Sequence, residues 1–169
     1  QYSVGPGSVV AVDAKSQLLS FVSQVAISKF GATYFPTSGL NADLQVAATN
    51  IFNVSVVISE KVDGSFHVSR NARGKPPQVV LDETCAYIMA TSGSTGTPKF
   101  ACISRSTFVS VINGLSQEYA PEESCTFLGF APTTFSSSLR QLWVPLTRGH
   151  SLQLAQGGNF DADLAWEIL

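Results

Sequence analysis

The nine residues from Thr91 to Lys99 are small, hydroxylated or cationic, and they directly follow an apolar segment, Ala86 to Ala90, that predicts a buried strand. Gly93 and Gly96 lack a Cβ atom, so backbone N–H groups can approach a ligand closely, and turns of this kind form concave anion sites. The hydroxyl groups are further donors, and a lysine charge suits phosphate. The sequence therefore predicts a phosphate-binding loop that comprises Thr91, Ser92, Gly93, Ser94, Thr95, Gly96, Thr97 and Lys99.

The spacing of this loop differs from that of a Walker A motif, in which a glycine, four further residues and Gly-Lys-Ser/Thr follow one another. Pro98, Lys99 and Phe100 stand at the decisive positions after Gly93. A flexible Ser/Gly connection without a ligand is the alternative. It is disfavoured because the loop lies between regular elements rather than between domains.

Strand and helix patterns alternate along the chain and predict an α/β fold, with a layered mixed or parallel sheet flanked by helices. Apolar residues from Leu18 to Phe30 recur at spacings of three and four, and Gly31 stands where a helix C′ glycine belongs. The polar segment from Lys61 to Gln78 predicts a mobile surface loop. Further strands are predicted at Val9–Val12, Ala32–Phe35, Val54–Ile58, Phe127–Phe130 and Leu152–Leu154. Further helices are predicted from an N-cap at Asn41 through Val46 and Ala47, at about Ser106–Tyr119, near Ser138–Thr147 and from Asp161.

The composition limits the classes of partner. The chain has 169 residues, of which 13% are charged, with ten basic against twelve acidic side chains and a formal net charge of −2. This balance gives no basic surface for nucleic acid. Apolar runs such as Val54–Ile58 are far shorter than the roughly 18 residues of a membrane span, so no span is predicted. Charged residues reach about half their usual share, which indicates a surface rich in Ser and Thr or faces that are normally covered.

The cysteines and histidines show no metal-ligand or catalytic spacing. Cys85, Cys102 and Cys125 are therefore interpreted as small buried residues in a reducing compartment, the cytoplasm. His67 and His150 are predicted to lie at the surface.

Three segments carry a resemblance to a known family. The sequence AYIMATSGSTGTPK at 86–99 resembles the phosphate-loop signature of the adenylate-forming superfamily, which includes nonribosomal peptide synthetase adenylation domains, acyl-CoA synthetases and luciferases. The segment KFGATYFP at 29–36 resembles the family's KAGAAYVP segment. The segment FSSSLRQLWVPLTRG at 135–149 resembles the FDASVWEIFLALLSG segment of the amino-acid-activating members. The resemblance thus spans nearly the whole chain.

The resemblance implies the first part of a large N-terminal domain that activates a carboxylic acid. Such enzymes convert a carboxylate and ATP, with Mg²⁺, into an acyl-adenylate and pyrophosphate, and then transfer the acyl group to a thiol. The loop from Thr91 to Lys99 would hold the departing phosphates. The acceptor would be the phosphopantetheine of a carrier protein, or coenzyme A in an acyl- or aryl-CoA ligase. The family's catalytic lysine lies in a C-terminal subdomain that these residues do not resemble.

Two departures from the family pattern flank the loop, and a third affects the acyl pocket. The family usually has an aromatic residue where Ala90 stands and glycine where Phe100 stands. Phe100 is tolerable only where the backbone is extended. The aspartate that pairs with the α-ammonium of an amino acid is replaced by Ser136, and a neutral hydroxyl cannot replace that ion pair. The resemblance thus implies a hydroxy, keto, aryl or fatty acid rather than a standard α-amino acid.

The predicted acyl-pocket residues are Phe135, Ser136, Ser137 and Arg140. Arg140 follows Ser136 at i+4 and could bind a second carboxylate or a keto oxygen; alternatively it points to solvent or pairs with an acid elsewhere. Phe135 is either a gate or a core aromatic residue.

The resemblance further implies that the chain is a partial adenylation domain, truncated at both ends, of a larger multidomain protein, and that these residues alone have no turnover. A degenerate, non-catalytic binding module and an unrelated phosphate-binding protein remain the alternatives.

Overall fold

The computed structural model describes residues 3–71, 79, 81, 83–91 and 99–155. In the described part, a six-stranded sheet has the order β4-β3-β1-β2-β5-β6. Strands β1, β2, β3 and β5 run parallel, whereas β4 and β6 pair antiparallel at the two edges. The bounds are β1 Val9–Asp13, β2 Thr33–Pro36, β3 Val54–Glu60, β4 Phe66–Arg70, β5 Cys85–Thr91 and β6 Lys99–Ser104. The α/β fold class with a mixed sheet is confirmed.

Four helices accompany the sheet: α1 Gln17–Lys29, α2 Ala42–Ile51, α3 Arg105–Tyr119 and α4 Ser136–Arg148. Helices α1, α3 and α4 contribute to the apolar cluster on one face of the sheet, and α2 contributes to the cluster on the other face. Helix α4 also connects a separate parallel pair of strands, β7 Thr126–Gly129 and β8 Ser151–Leu154. Among the described residues no helix is long and apolar enough to cross a membrane.

The helix boundaries follow from local chemistry. Ser16 caps α1 by accepting the Leu19 N–H at 3.3 Å, and Asn41 caps α2 by accepting the Leu44 N–H at 2.9 Å. Gly31 has a φ of +69°, the left-handed conformation that ends α1. The predicted caps at Asn41 and Gly31 are therefore confirmed.

One arginine joins the start of α3 to the sheet. The Arg105 guanidinium donates hydrogen bonds to the carbonyl oxygens of Gly31, of Ala32 at 3.0 Å and of Cys85 at 3.2 Å. These acceptors precede β2 and begin β5, so a single side chain fastens two neighbouring strands to the next helix.

The two edge strands were not predicted. The polar segment that was expected to be a loop contains β4, which pairs with β3 from Val56↔Arg70 to Glu60↔Phe66. An edge strand with largely exposed side chains lacks the apolar alternation by which strands are recognised. Strand β6 was missed as well. Residues 72–78 of the same segment, and the helix predicted from Asp161, lie outside the described residues.

Three predictions about burial are wrong. Cys102 is exposed and Cys125 is only half-buried, whereas Cys85 is buried as predicted. His150 is buried rather than at the surface, with its ring stacked on Phe127 at 5.5 Å and its Nδ1 accepting the Cys125 N–H at 3.4 Å. Its surroundings come from β7, which approaches only in the tertiary structure.

Candidate functional site

The predicted phosphate loop connects β5 to β6. The last paired residues of the two strands are Thr91 and Lys99, both exposed, and the Thr91 hydroxyl donates to the Lys99 carbonyl oxygen at 3.2 Å. The loop thus leads from one antiparallel strand into the next and not into a helix N-terminus, which distinguishes it from a Walker A loop. The predicted phosphate-binding residues Ser92, Gly93, Ser94, Thr95, Gly96 and Thr97 lie outside the described residues.

A cleft of about 660 Å³ opens beside this loop. Three parts of the chain form its walls: the segment after β2, the β5–β6 pair, and the connection between β7 and α4. The lining residues are Pro36, Ser38, Gly39, Leu40, Tyr87, Met89, Ala90, Thr91, Ala101, Ile103, Thr134, Phe135 and Ser136. The β2 and β5 walls lie at the carboxyl ends of adjacent parallel strands, where ligands commonly bind in α/β sheets.

The cleft brings together residues that are far apart in the sequence. Thr91, from the phosphate loop, and Phe135 and Ser136, from the predicted acyl pocket, line the same space. Ser137 is half-buried and Arg140 is exposed, and neither lines the cleft as described. Phe135 is 64% exposed, so it is not a core residue of the described part.

Arg140 lies near the end of α3. The Glu118 carboxylate raises the pKa of the Tyr119 hydroxyl, and the nearby Arg140 charge partly opposes that increase. Helices α3 and α4 pack against each other, and the exposed Arg140 side chain is not part of the described cleft lining.

The described lining of the cleft carries no charged side chain. Tyr87, Met89, Ile103 and Phe135 supply apolar and aromatic surface, and the hydroxyl groups of Ser38, Thr134 and Ser136 supply hydrogen-bonding capacity. Burial raises the pKa of Tyr87, which keeps its phenol protonated and able to donate. Such a surface suits an uncharged acyl group better than one with an ammonium or a second carboxylate.

The two departures that flank the loop are cross-strand partners. Ala90 on β5 is paired with Phe100 on β6. The Phe100 ring packs edge-to-face on Phe35 at 5.8 Å and on Phe52 at 5.3 Å. Phe100 lies in an extended strand, so the positive φ that would require glycine does not arise at this position. One large and one small residue thus occupy adjacent strands, and the ring is part of the apolar cluster on the α2 face.

Side chains that sequence reasoning missed hold the β7–α4 wall. The Gln141 Oε1 accepts the N–H groups of Phe130 at 3.0 Å and Ala131 at 2.9 Å. The Gln17 Nε2 donates to the Ala131 carbonyl oxygen at 3.0 Å, and the Ser138 hydroxyl donates to the Phe135 carbonyl oxygen at 2.7 Å. Glutamine is common in helices, so neither residue stands out in the sequence. Only the position of Gln141 among the apolar residues of α4 could have indicated a buried hydrogen bond.

Among the described residues, no three or more His, Cys, Asp or Glu side chains are grouped closely enough to hold a metal ion. The described chemistry of the cleft is thus that of hydroxyl groups, aromatic surface and the adjoining Lys99.

Comparison with known proteins places this geometry in a family. The family model described as "AMP-binding enzyme" matches residues 1–169. The nonribosomal peptide synthetase opaA of Aspergillus ustus is 29% identical over 183 aligned residues, which cover 99% of this chain and 5% of that protein. A D-alanine–D-alanyl carrier protein ligase of Listeria innocua is 36% identical over 77 residues, which cover 46% of this chain and 15% of the ligase.

The fold is similar to that of a solved enzyme. O-succinylbenzoate coenzyme A synthetase (MenE) from Bacillus subtilis, in complex with ATP and a magnesium ion, superposes with a TM-score of 0.73 at 12% identity, over 98% of this chain and 48% of that one. At this identity the likeness establishes the fold alone. The chain spans about half the length of that enzyme and 5% of the peptide synthetase.

Proposed function

The chain belongs to the AMP-binding enzyme family, and on this premise we propose that it forms part of a site at which a carboxylic acid reacts with ATP. In this reaction a carboxylate oxygen attacks the α-phosphorus, the acyl-adenylate forms and pyrophosphate leaves. The observation that carries the proposal is the cleft itself, in which Thr91 of the phosphate loop faces the same space as Phe135 and Ser136.

The loop from Thr91 to Lys99 is proposed to bind the departing phosphates. Backbone and hydroxyl donors of Ser92, Gly93, Ser94, Thr95, Gly96 and Thr97, together with the Lys99 ammonium, would stabilise the negative charge that develops on pyrophosphate. One such preorganised donor typically contributes about 3 to 4 kcal/mol to transition-state binding. Mg²⁺ would be held mainly through the ATP oxygens, as is usual for this ion.

The substrate is proposed to be a carboxylic acid without an α-ammonium group. Ser136 cannot form the ion pair that an ammonium would need, and the described cleft lining has no acidic side chain that could substitute for it. The apolar and aromatic surface favours an aryl or alkyl acid that carries at most hydroxyl or keto groups. Ser137 and Arg140 are proposed to complete the acyl pocket against parts of the protein that lie beyond the described residues.

The acyl acceptor is proposed to be the phosphopantetheine of a carrier protein within a larger multidomain protein. The peptide synthetase and the carrier protein ligase among the relatives favour this acceptor. Coenzyme A is the second candidate, because the enzyme with the similar fold is a coenzyme A synthetase. The three free cysteines favour a reducing, cytoplasmic setting.

The test is ATP–pyrophosphate exchange by the complete protein that carries this chain. Four acids that share one side chain and differ at Cα form the panel: 3-phenylpropionate, phenyllactate, phenylpyruvate and phenylalanine; benzoate and octanoate vary the acyl group. Exchange with one or more of the acids that lack nitrogen, and none with phenylalanine, supports the proposal. Exchange with phenylalanine alone refutes the substrate class, and exchange with no acid supports a non-catalytic binding module.

These 169 residues by themselves are proposed to be a partial adenylation domain without turnover, because the family's catalytic lysine lies elsewhere. Pyrophosphate exchange catalysed by the isolated chain would refute this.

A further inference from the structure

The backbone of Ala131, in the β7–α4 connection, is hydrogen-bonded by two glutamine amides, one at its N–H and one at its carbonyl oxygen. Gln141, on α4, accepts the N–H groups of Phe130 and Ala131 with a single oxygen. Gln17, the first residue of α1, donates to the carbonyl oxygen of the same Ala131. Side chains from both helices therefore fix the backbone of Ala131, which is itself only 5% exposed.

The orientation of the Gln17 amide is set by this contact. Gln17 is 7% exposed, and its Oε1 is buried without a partner among the described residues. Turning the amide over would place this oxygen against the Ala131 carbonyl oxygen, and two acceptors repel each other. A buried acceptor without a partner is unfavourable, so the hydrogen bond to Ala131 is the evident use of a polar side chain at this position.

Ala131 is connected to the cleft by a short, stiff segment. Pro132 follows directly and has a fixed φ. The Phe135 N–H then donates to the Pro132 carbonyl oxygen at 2.9 Å, which closes a turn. Thr134, Phe135 and Ser136, all of which line the cleft, come within five residues of Ala131. A displacement of Ala131 is therefore transmitted to this wall.

We infer that Gln17 and Gln141 are positioning residues, which fix the wall formed by Thr134, Phe135 and Ser136 for the acyl group of the carboxylic acid. The inference rests on the proposed function for its substrate, but the effect of the two glutamines on the backbone of this wall can be tested without substrate. Neither glutamine lines the cleft.

The same substitution should disrupt the hydrogen bonding at one position and leave it intact at the other. Gln141 acts as an acceptor, so Gln141→Glu keeps the oxygen and both hydrogen bonds. Gln17 acts as a donor, so Gln17→Glu replaces the donor by a carboxylate that faces a carbonyl oxygen. Amide hydrogen exchange of residues 130–136 in the complete protein should therefore be unchanged in Gln141→Glu and about tenfold faster in Gln17→Glu. Gln141→Met, which has a similar shape but no acceptor, should also be about tenfold faster.

Measurements of activity distinguish a role in positioning the acid from a general effect on stability. With the most active acid of the panel above as substrate, Gln17→Glu and Gln141→Met should raise the KM for the acid about tenfold, with the KM for ATP within about twofold of the wild-type value. Gln141→Glu should restore the wild-type KM for the acid.

Equal hydrogen exchange in Gln17→Glu and Gln141→Glu would overturn the inference, and so would parallel losses of affinity for acid and ATP. If Gln141→Met does not fold, the comparison of Gln17→Glu with Gln141→Glu still tests the inference. If the wild-type protein activates none of the acids, the proposed function fails, while hydrogen exchange still determines whether the two glutamines fix this wall.

Discussion

Two walls of the cleft are built in different ways. The β5–β6 wall is held by a ladder of backbone hydrogen bonds that runs from Cys85 to the last pair, Thr91 and Lys99. Within the described residues, the β7–α4 wall has main-chain bonds only within its own turn, and the side chains of Gln17, Ser138 and Gln141 join its backbone to the helices. The β5–β6 wall is thus determined mainly by main-chain pairing, whereas the β7–α4 wall can be altered by single side-chain substitutions. In a family whose members activate different carboxylic acids, substitutions in the second wall could change the substrate without disturbing the paired strands of the first.

The largest expected effect disrupts the sheet side. Arg105→Met removes a charged donor from three carbonyl oxygens that join β2, β5 and α3, and we expect a loss of about 3 kcal/mol in the free energy of unfolding. Urea denaturation of the purified protein measures it. The matched control is Arg148→Met, at the exposed end of α4, which should cost about 0.5 kcal/mol or less. Equal losses in the two variants would mean that Arg105 does not fasten the sheet.

The second prediction concerns the ring beside the loop. Phe100→Ala removes edge-to-face contacts with Phe35 and Phe52 and should cost about 2 kcal/mol, less than a fully buried ring because Phe100 is half-buried.

The cross-strand partner of Phe100 provides the control. Ala90→Phe alone should be destabilising because its ring would lie directly opposite that of Phe100, on the same face of the strand pair. The double variant Ala90→Phe with Phe100→Ala should recover at least half of the summed losses, since one ring then occupies the shared space. Strict additivity of the two losses would show that the positions do not compensate each other.

The third prediction is a pH dependence of the sheet side. Burial raises the pKa of Tyr34, whose hydroxyl also hydrogen-bonds with Ser20. Between the unfolded tyrosine value of about 10 and the higher folded value, the folded state retains a proton that the unfolded state loses. Stability should therefore decrease above pH 10, by about 1.4 kcal/mol per pH unit. Tyr34→Phe should remove this part of the slope in urea titrations at pH 9 to 11, and an unchanged slope would contradict the assignment.

The smallest expected effect concerns the side-chain-held wall. Ser138→Ala removes the donor to the Phe135 carbonyl oxygen and should cost about 1 kcal/mol. Ser137→Ala, at the preceding half-buried position, is the control and should cost less. If hydrogen exchange at 133–136 responds equally to both substitutions, Ser138 does not hold this wall.

Much of the fold could be predicted because its signals are local. The caps at Asn41 and Gly31 and the apolar strands near Val54 and Ala86 depend on neighbouring residues alone, and all are present. Strand β4 could not be predicted, because an edge strand with largely exposed side chains is defined by its hydrogen-bonding partner and not by its own pattern. Strand β6, which is partly buried, was missed because it directly follows the polar loop and has no clear apolar alternation. His150 was misjudged for the same reason as β4, since Phe127 covers it only after β7 and β8 pair.

The sequence by itself indicated the chemistry that we propose, because the order of small, hydroxylated and cationic residues from Thr91 to Lys99 and the neutral Ser136 are properties of side chains. It also determined that the elements alternate in an α/β order. Only the tertiary structure decided that Thr91 and Ser136 face one cleft, that Ala90 and Phe100 are partners, and that Gln17 and Gln141 both bind the backbone of Ala131. The reason is physical: each of these relations joins residues on different strands or helices, and no local periodicity records the distance between elements that meet only when the chain has folded.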